Sequence, residues 1–147
     1  MKEIVKRVGA IIDNSSASII SSVDEDGFPN TKAMLPPRYR DGIRQIYFTT
    51  NTSSMRVSQY ERDPKACVYF YDSRRFNGIM LKGTMDVLHD EKTKEMIWKD
   101  GDEIYYPKGV TDPDYCVLKF SALNGRFYSN FKSVNLDLQE YQKISFM

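Results

Sequence analysis

The 147-residue sequence contains one histidine, two cysteines and one tryptophan. Zinc and haem sites draw most of their protein ligands from histidine and cysteine, so His89 leaves too few donors for either. A Ser-His-Asp triad would also have to use His89, and no serine lies in the G-x-S-x-G turn that exposes such a nucleophile. Metal, haem and serine-hydrolase chemistry are therefore disfavoured.

Both cysteines lie inside apolar segments rich in β-formers. Cys67 belongs to ACVYFY and Cys116 to YCVLKF. In such a setting cysteine usually behaves as a small buried hydrophobe. A disulfide or a redox pair is the less favoured alternative.

The chain has little net charge and no long apolar run. Lys and Arg number 21 against 20 Asp and Glu, so bulk charge gives no attraction to nucleic acid or to anionic membranes. No apolar run approaches the roughly 18 residues of a membrane span, and MKEIVKRVGAIIDN lacks the apolar stretch of a signal peptide. We expect a cytoplasmic protein that binds neither nucleic acid nor membranes, and any anion site must be local.

Helical periodicity is strongest near the N-terminus. Apolar residues recur there every three or four positions, which predicts a helix that packs on the rest of the protein: Ile4, Val5, Val8, Ile11 and Ile12. The polar segment 51–63 is compatible with a helix that ends before Asp63-Pro64. Segment 90–98 predicts a short helix with Asp90 as its cap.

Seven segments have the composition of strands, namely residues 17–23, 29–35, 45–50, 66–71, 79–88, 115–121 and 125–130. The Asp-Gly ending of 24–27 is typical of a hairpin, Pro29 suits an edge, and Gly83 suits a bulge. Residues 122–124 are predicted to form a turn, and 100–113 a loop with at most one helical turn. Short strands with few helices indicate one antiparallel barrel or sandwich domain over residues 1–147, in which the tail 131–147 is unassigned.

The most informative block is YFTTNTSSMRVSQYERDPKACVYF, in which a strand ends in threonine, Ser-x-Arg opens a helix and Asp-Pro precedes the next strand. DEDGFPNTKAML lies before it and IMLKGTMDVL follows it. In this order and spacing, residues 11–129 resemble the pyridoxamine 5′-phosphate oxidase-like flavoproteins, especially the general stress protein branch.

The resemblance implies a mainly β fold with short helices, a six- or seven-stranded antiparallel split β-barrel of the FMN-binding type. It also implies a homodimer with FMN at each subunit junction, because the family places its flavin across a two-fold interface. A two-fold contact creates two equivalent sites.

The implied phosphate site lies at the start of the helix in segment 51–63. Ser53 and Ser54 precede this helix, whose free N–H groups and dipole favour an anion. The Ser54 hydroxyl and the Arg56 guanidinium match phosphate oxygens. Met55 replaces a second basic residue of many relatives. On local sequence alone, the same residues also fit an N-cap and a solvated arginine.

The implied contacts to the flavin ring and ribityl chain come from two strand ends. The segment that lines the flavin is matched by Lys32, Ala33, Met34 and Leu35. Lys32 would stabilise negative charge on the reduced ring, although an outward-facing strand lysine is the alternative. Thr49 and Thr50 match a strand end that hydrogen-bonds the flavin, or they are ordinary β-branched strand residues.

Tyr128 in GRFYSN stands where relatives often have a tryptophan that reaches the neighbouring subunit's flavin. Core packing is the alternative for any one of the ten tyrosines. Gly78 stands where the vitamin B6 oxidases carry a polar side chain, and their arginine-rich C-terminal segment has no match here. These two differences disfavour vitamin B6 oxidation.

Two functional classes remain open. The first is an FMN-dependent oxidoreductase that passes electrons from a reduced nicotinamide or similar donor to a small acceptor, such as a nitroimidazole. The second is a non-catalytic flavin-binding or stress-response protein, since no acid, base or nucleophile stands out. Haem or metal binding on the same fold is a third possibility, which the single histidine disfavours.

Overall fold

The computed structural model describes residues 1–139, which form three α-helices, one 3-10 turn and eight strands. The elements in chain order are α1 Lys2–Asn14, β1 Ser18–Val23, β2 Pro29–Met34, β3 Tyr39–Asp41, β4 Gln45–Asn51, α2 Met55–Arg62, β5 Lys65–Asp72, β6 Asn77–Leu88, α3 Glu91–Ile97, the 3-10 turn Asp102–Ile104, β7 Tyr115–Ser129 and β8 Lys132–Asp137.

All eight strands pair antiparallel in one sheet with the order β2-β1-β5-β6-β7-β4-β3, and β8 also pairs with β7. The mainly β, antiparallel fold class is thereby confirmed, with eight strands rather than six or seven. Strand β7 organises the sheet. It pairs with β6 along one edge, while its other edge is shared by β4 over the first half and β8 over the second.

The turn predicted at residues 122–124 is wrong, because β7 continues through it. Lys82 pairs with Asn124 and Gly83 with Ala122, so Leu123 is the extra residue of a bulge opposite Gly83. A Cβ on Gly83 would lie 1.9 Å from the Ser121 carbonyl oxygen. The bulge expected at Gly83 is therefore confirmed, and it bends β7 without ending it.

Strands β3 and β8 are absent from the sequence prediction. Strand β3 has only three residues and follows the proline pair 36–37, and β8 lies in the tail that was left unassigned. Both are edge strands, and most of their residues are exposed, so neither shows a clear apolar alternation. Residues 140–147 of that tail lie outside the described residues.

The predicted helices and the first hairpin are confirmed. Helix α1 buries Val8 and Ile12 and packs against β5 and β6, while α3 begins after Asp90, whose carboxylate accepts the Thr93 N–H. Gly27 turns the β1–β2 hairpin at a φ of 83°, which favours glycine. Pro29 starts β2 at the sheet edge.

The main core lies between the inner face of the sheet and the helices α1 and α2, and a second cluster around Tyr106 and Tyr115 lies beneath Trp98. Both cysteines are free thiols, with Cys116 buried and Cys67 half-buried. Burial raises the pKa of each thiol. Across residues 1–139, no helix combines the length and apolarity that a membrane crossing requires.

Candidate functional site

The junction between β4 and α2 holds the strongest candidate site. Strand β4 ends at Asn51 and α2 begins at Met55, with Ser54 in extended conformation at the N-cap position. The Ser54 side chain makes no capping hydrogen bond. The first N–H groups of α2 have no carbonyl partner within the helix, because an α-helical amide bonds four residues back. The junction therefore presents several donors with no acceptor in the helix.

Two buried side-chain atoms at this junction lack a partner among the described residues. They are Ser54 Oγ and Arg56 Nε. Arg56 is otherwise held by a long bond of 3.4 Å from its Nη2 to the Thr50 hydroxyl, which points inward from the end of β4. A buried polar group without a partner costs about 1–3 kcal/mol. The hydroxyl, the guanidinium and the helix amides together fit a phosphate, and we call these groups the anion cradle.

Asp114 clamps the loop that carries the anion cradle. Its carboxylate accepts Asn51 Nδ2 at 2.9 Å and the Ser53 N–H at 2.8 Å, and its carbonyl accepts the Thr52 N–H at 2.7 Å. The hydrogen bonds from Asn51 and Ser53 lower the pKa of the Asp114 carboxyl. The amide of Ser53 is therefore engaged by Asp114, while its side chain is exposed. Sequence reasoning missed Asp114, which lies some sixty positions further along the chain.

Gln59 joins α2 to the β1–β2 hairpin. This buried side chain accepts hydrogen bonds from Ser22 and from Asn30, the latter at 3.0 Å. Asn30 lies two positions before Lys32 on β2, so both side chains belong to the same face of the strand. Lys32 also lies directly opposite the buried Ile20. This register places Lys32 on the inner side of an edge strand, where it is exposed, and does not match an outward-facing lysine.

The remaining residues of the 32–35 segment divide between the two faces. Met34 packs against the main core, whereas Ala33 and Leu35 are exposed. The Leu35 carbonyl accepts the Ser18 hydroxyl at 3.2 Å. Thus only Lys32 offers a charged group on the side of the strand that meets α2.

Thr49 and Thr50 point to opposite faces of β4. Thr50 is buried beside Arg56, whereas Thr49 shares a side-chain hydrogen bond with Tyr106 in the second apolar cluster. Thr50 is thereby brought to the anion cradle through its side chain, and Thr49 is not.

Tyr128 lies far from the anion cradle within one chain. Thr50 pairs with Cys116 near the start of β7, and Tyr128 lies twelve residues further along the same strand. At about 3.3 Å per residue this is roughly 40 Å of strand. The Tyr128 ring instead meets the Phe76 ring edge-on at 6.2 Å.

Around Tyr128 the sheet carries an apolar outer face, made of Ile19, Tyr69, Tyr71, Met80 and Tyr128. Tyr69 and Tyr71 stack at 6.3 Å and are 40% and 52% exposed. A Cβ on Gly78 would lie 2.3 Å from the Tyr69 hydroxyl oxygen, so the missing side chain leaves room for this phenol. No element within residues 1–139 covers these rings.

Comparison with known proteins agrees with this architecture. A model of the pyridoxamine 5′-phosphate oxidase family matches residues 4–129. A Clostridium acetobutylicum protein related to general stress protein 26, of the pyridoxinephosphate oxidase family, is 37% identical with a TM-score of 0.86, over 95% of this chain and 98% of the other. General stress protein 26 of Bacillus anthracis str. Sterne is 17% identical with a TM-score of 0.75, over 91% and 99% of the two chains, and shows likeness of fold alone.

Curated relatives match over a shorter region. The pyridoxine/pyridoxamine 5′-phosphate oxidase of Legionella pneumophila is 25% identical over 81 residues, which are 55% of this chain and 37% of the relative. The match thus spans little more than a third of that enzyme. The family model covers most of the chain, and the Clostridium relative aligns over nearly its full length. The chain therefore belongs to the pyridoxamine 5′-phosphate oxidase family.

Proposed function

We propose that this protein is a flavoprotein that binds one FMN per chain and transfers electrons from a reduced nicotinamide or similar donor to a small acceptor. The observation that carries the proposal is the pair of buried, unpartnered polar atoms Ser54 Oγ and Arg56 Nε beside the first amides of α2. FMN ends in a phosphate, and these groups match its charge and its acceptors.

Each residue of the anion cradle has a separate task in this proposal. Arg56 donates its planar fork to phosphate oxygens while Thr50 supports the guanidinium from below. Ser54 donates its hydroxyl, and Asp114 keeps the preceding loop in place by holding the Ser53 amide. Hydrogen bonds to charged groups contribute about 1.5–3 kcal/mol each. The cradle thus supplies much of the affinity for the phosphate end.

Lys32 is assigned to the ring end of the cofactor. It extends from the inner side of β2, on the face that Asn30 shares with α2. A cation beside the flavin ring stabilises negative charge that develops on reduction. FMN, when bound, supplies the hydride and electron chemistry, and the chain supplies binding, orientation and this electrostatic bias.

The proposal includes a two-fold dimer formed through the outer face. Tyr128 and the anion cradle lie at opposite ends of β7, so a single chain cannot bring both to one flavin. A second copy placed against the stacked Tyr69 and Tyr71 would cover the exposed rings and bring its own Tyr128 towards the cradle of the first.

A non-catalytic role, in storing or sensing FMN, is the second candidate. It is favoured by the lowered pKa of Asp114, since a carboxyl held ionised by Asn51 and the Ser53 amide is a poor general base at neutral pH. Steady-state turnover with NADH or NADPH separates the two roles. Oxidation of either donor with oxygen, quinone or nitroimidazole acceptors would support the oxidoreductase, and FMN binding without turnover would support storage.

The test of FMN binding is Arg56→Ala, with titrations of FMN and riboflavin. We expect FMN to bind the variant about ten- to a hundredfold more weakly, because a charge-assisted phosphate contact is lost. Riboflavin lacks the phosphate and should respond little. Arg62→Ala is the matched control, since Arg62 lies on the same helix with only a 3.7 Å ion pair to Glu25.

Two outcomes would contradict the assignment. Equal weakening of FMN and riboflavin would show that Arg56 supports the fold of α2 instead of binding phosphate. Absence of any flavin from the purified wild-type protein, together with no uptake in titration, would overturn the proposal as a whole.

A further inference from the structure

The largest cavity in the described part of the chain lies away from the anion cradle, between the end of α1 and the β5–β6 hairpin. Its volume is about 620 Å³, within the range of about 300–1,000 Å³ that small-molecule sites occupy. One wall is formed by residues 10–16 of α1 and the turn after it, and the other by residues 71–75. We call it the hairpin cavity.

Two arginines dominate the charge of the hairpin cavity. Arg74 and Arg75 both line it, and neither makes a salt bridge or a side-chain hydrogen bond within residues 1–139. The acidic residue in the lining is Asp72, whose carboxylate accepts the Arg74 N–H at 3.0 Å and so shapes the turn. Two guanidiniums against one carboxylate leave a net positive wall.

The opposite wall offers hydroxyl groups and few competing acceptors. Two carbonyls near the end of α1 are already engaged, by Asn14 Nδ2 at 2.8 Å and by Ser15 Oγ at 2.6 Å. Satisfied carbonyls oppose an anion less than free ones. Ser16 and Ser73 add hydroxyls from the two sides of the cavity.

The hairpin that carries the arginines is held in a defined conformation. Phe76 follows Arg75 at a φ of 54°, a region that non-glycine residues rarely adopt. Its ring packs edge-on against Tyr128 on the neighbouring strand at 6.2 Å. The contact fixes the hairpin to the sheet, so binding needs little ordering of the turn.

We propose that the hairpin cavity binds a phosphorylated small molecule, with Arg74 and Arg75 as its phosphate ligands. Guanidinium forks match phosphate oxygens in geometry and charge. The volume exceeds that of a single inorganic ion, so the ligand carries an organic part as well. The site is separate from the proposed FMN cradle and does not depend on it.

Pyrophosphate is the probe, titrated into protein saturated with FMN so that the anion cradle is occupied. We expect saturable binding that weakens at least tenfold in Arg74→Ala/Arg75→Ala. The control Lys92→Ala/Lys99→Ala removes the same charge from exposed lysines outside the cavity and should bind as the wild type does. Ala10→Trp fills the cavity without a change in charge and should also reduce binding.

Three results would overturn the site. They are absence of saturable pyrophosphate binding, equal weakening by the arginine and lysine pairs, and full retention of binding in Ala10→Trp. If a preparation binds no FMN but still binds pyrophosphate through Arg74 and Arg75, the proposed function fails while this site stands. Competition between FMN and pyrophosphate would instead assign the binding to the cradle and refute a separate site.

Discussion

Arg56 and Asp114 illustrate how opposite charges can serve one anion site without neutralising each other. Arg56 lies in the first turn of α2, with its Nε unpartnered, whereas Asp114 faces the loop before the helix. The carboxylate accepts its bonds from Asn51 and Ser53, and no ion pair joins it to Arg56. A negative group thereby orders the loop, and the positive group stays available for a ligand.

Replacement of Asp114 by Asn tests this ordering role. A carboxyl whose folded-state pKa is lowered stabilises the fold above its ordinary pKa of about 3.9, and the contribution is lost as pH falls through the lower folded value. We expect wild-type stability to fall more steeply than that of Asp114→Asn below about pH 4. FMN should bind the variant a few-fold more weakly at pH 7. Thermal melts from pH 3 to pH 7 measure the difference.

The control for that experiment is Asp100→Asn, which removes an exposed carboxyl from the loop before the 3-10 turn. Identical pH profiles for wild type and Asp114→Asn would show that the clamp contributes nothing to the loop. Asp114 could not be identified from sequence, because its partners at 51–53 lie about sixty residues away and no motif links the two segments.

At the scale of elements, Gln59 couples the helix of the anion cradle to the strand of Lys32. It is 5% exposed and accepts both Ser22 and Asn30. In Gln59→Leu two donors lose their acceptor, which costs about 1–3 kcal/mol per buried group. We expect FMN and riboflavin to weaken together in this variant, in contrast to Arg56→Ala.

Paired flavin titrations check the role of Gln59, with urea unfolding as a readout of stability. Gln59→Glu keeps an acceptor at the same place and should recover much of the affinity. A stability loss with unchanged affinity for both flavins would limit Gln59 to packing. The control Ser58→Ala changes an exposed neighbour that bonds only its own helix.

A buried ion pair fixes the 3-10 turn to the edge of the sheet. Arg38 and Asp102 make two bonds of 2.7 Å, and their side chains are 9% and 5% exposed. Loss of one partner from such a pair costs about 3–5 kcal/mol because the other charge remains buried. Asp102→Asn should therefore lower the free energy of unfolding by about 3 kcal/mol.

Urea unfolding of three variants tests that estimate. Arg38→Met/Asp102→Leu should be more stable than Asp102→Asn, since neither charge stays unpaired. Asp13→Asn breaks the exposed pair with Arg40, which has the same 2.7 Å geometry, and should cost about 0–1 kcal/mol. Equal losses for the two single variants would show that burial does not set the strength of these pairs.

The elements that local pattern specifies were predictable, and those that distant pairing specifies were not. Apolar periodicity indicates α1, and Ser54 and Asp63-Pro64 mark the ends of α2. The three residues of β3 become a strand only because β4 lies beside them. The stretch 122–124 has turn-forming residues, yet the long β6 holds it extended and absorbs Leu123 as a bulge.

On the scale of the whole molecule, the candidate site was predicted in part. The block around Ser54 and Arg56 is contiguous in sequence, so local reading could place a helix start and a phosphate contact there. Lys32 and Tyr128 depend on sheet register and, for Tyr128, on a second copy. Neither dependence can be read from spacing along one chain.

The dimer gives the prediction that involves the most of the structure. Tyr69 and Tyr71 are stacked, exposed and central to the outer face. Tyr69→Asp/Tyr71→Asp places two charges there, and burial of unpaired charges against a second copy is costly. We expect a monomer in sedimentation velocity, with FMN affinity reduced more than tenfold although the anion cradle is unchanged. Riboflavin should weaken as well, because the lost contacts are those of the ring.

The matched control is Met96→Asp, a charge placed on another exposed apolar residue, on α3 and off the outer face. It should leave both sedimentation and flavin binding as in the wild type. Circular dichroism and melting must show that the tyrosine variant is folded, since both rings are partly exposed and the core beneath is untouched. A folded tyrosine variant that remains a dimer would place the interface elsewhere. A wild-type monomer that carries FMN would show that one chain completes the site without Tyr128 of a second copy.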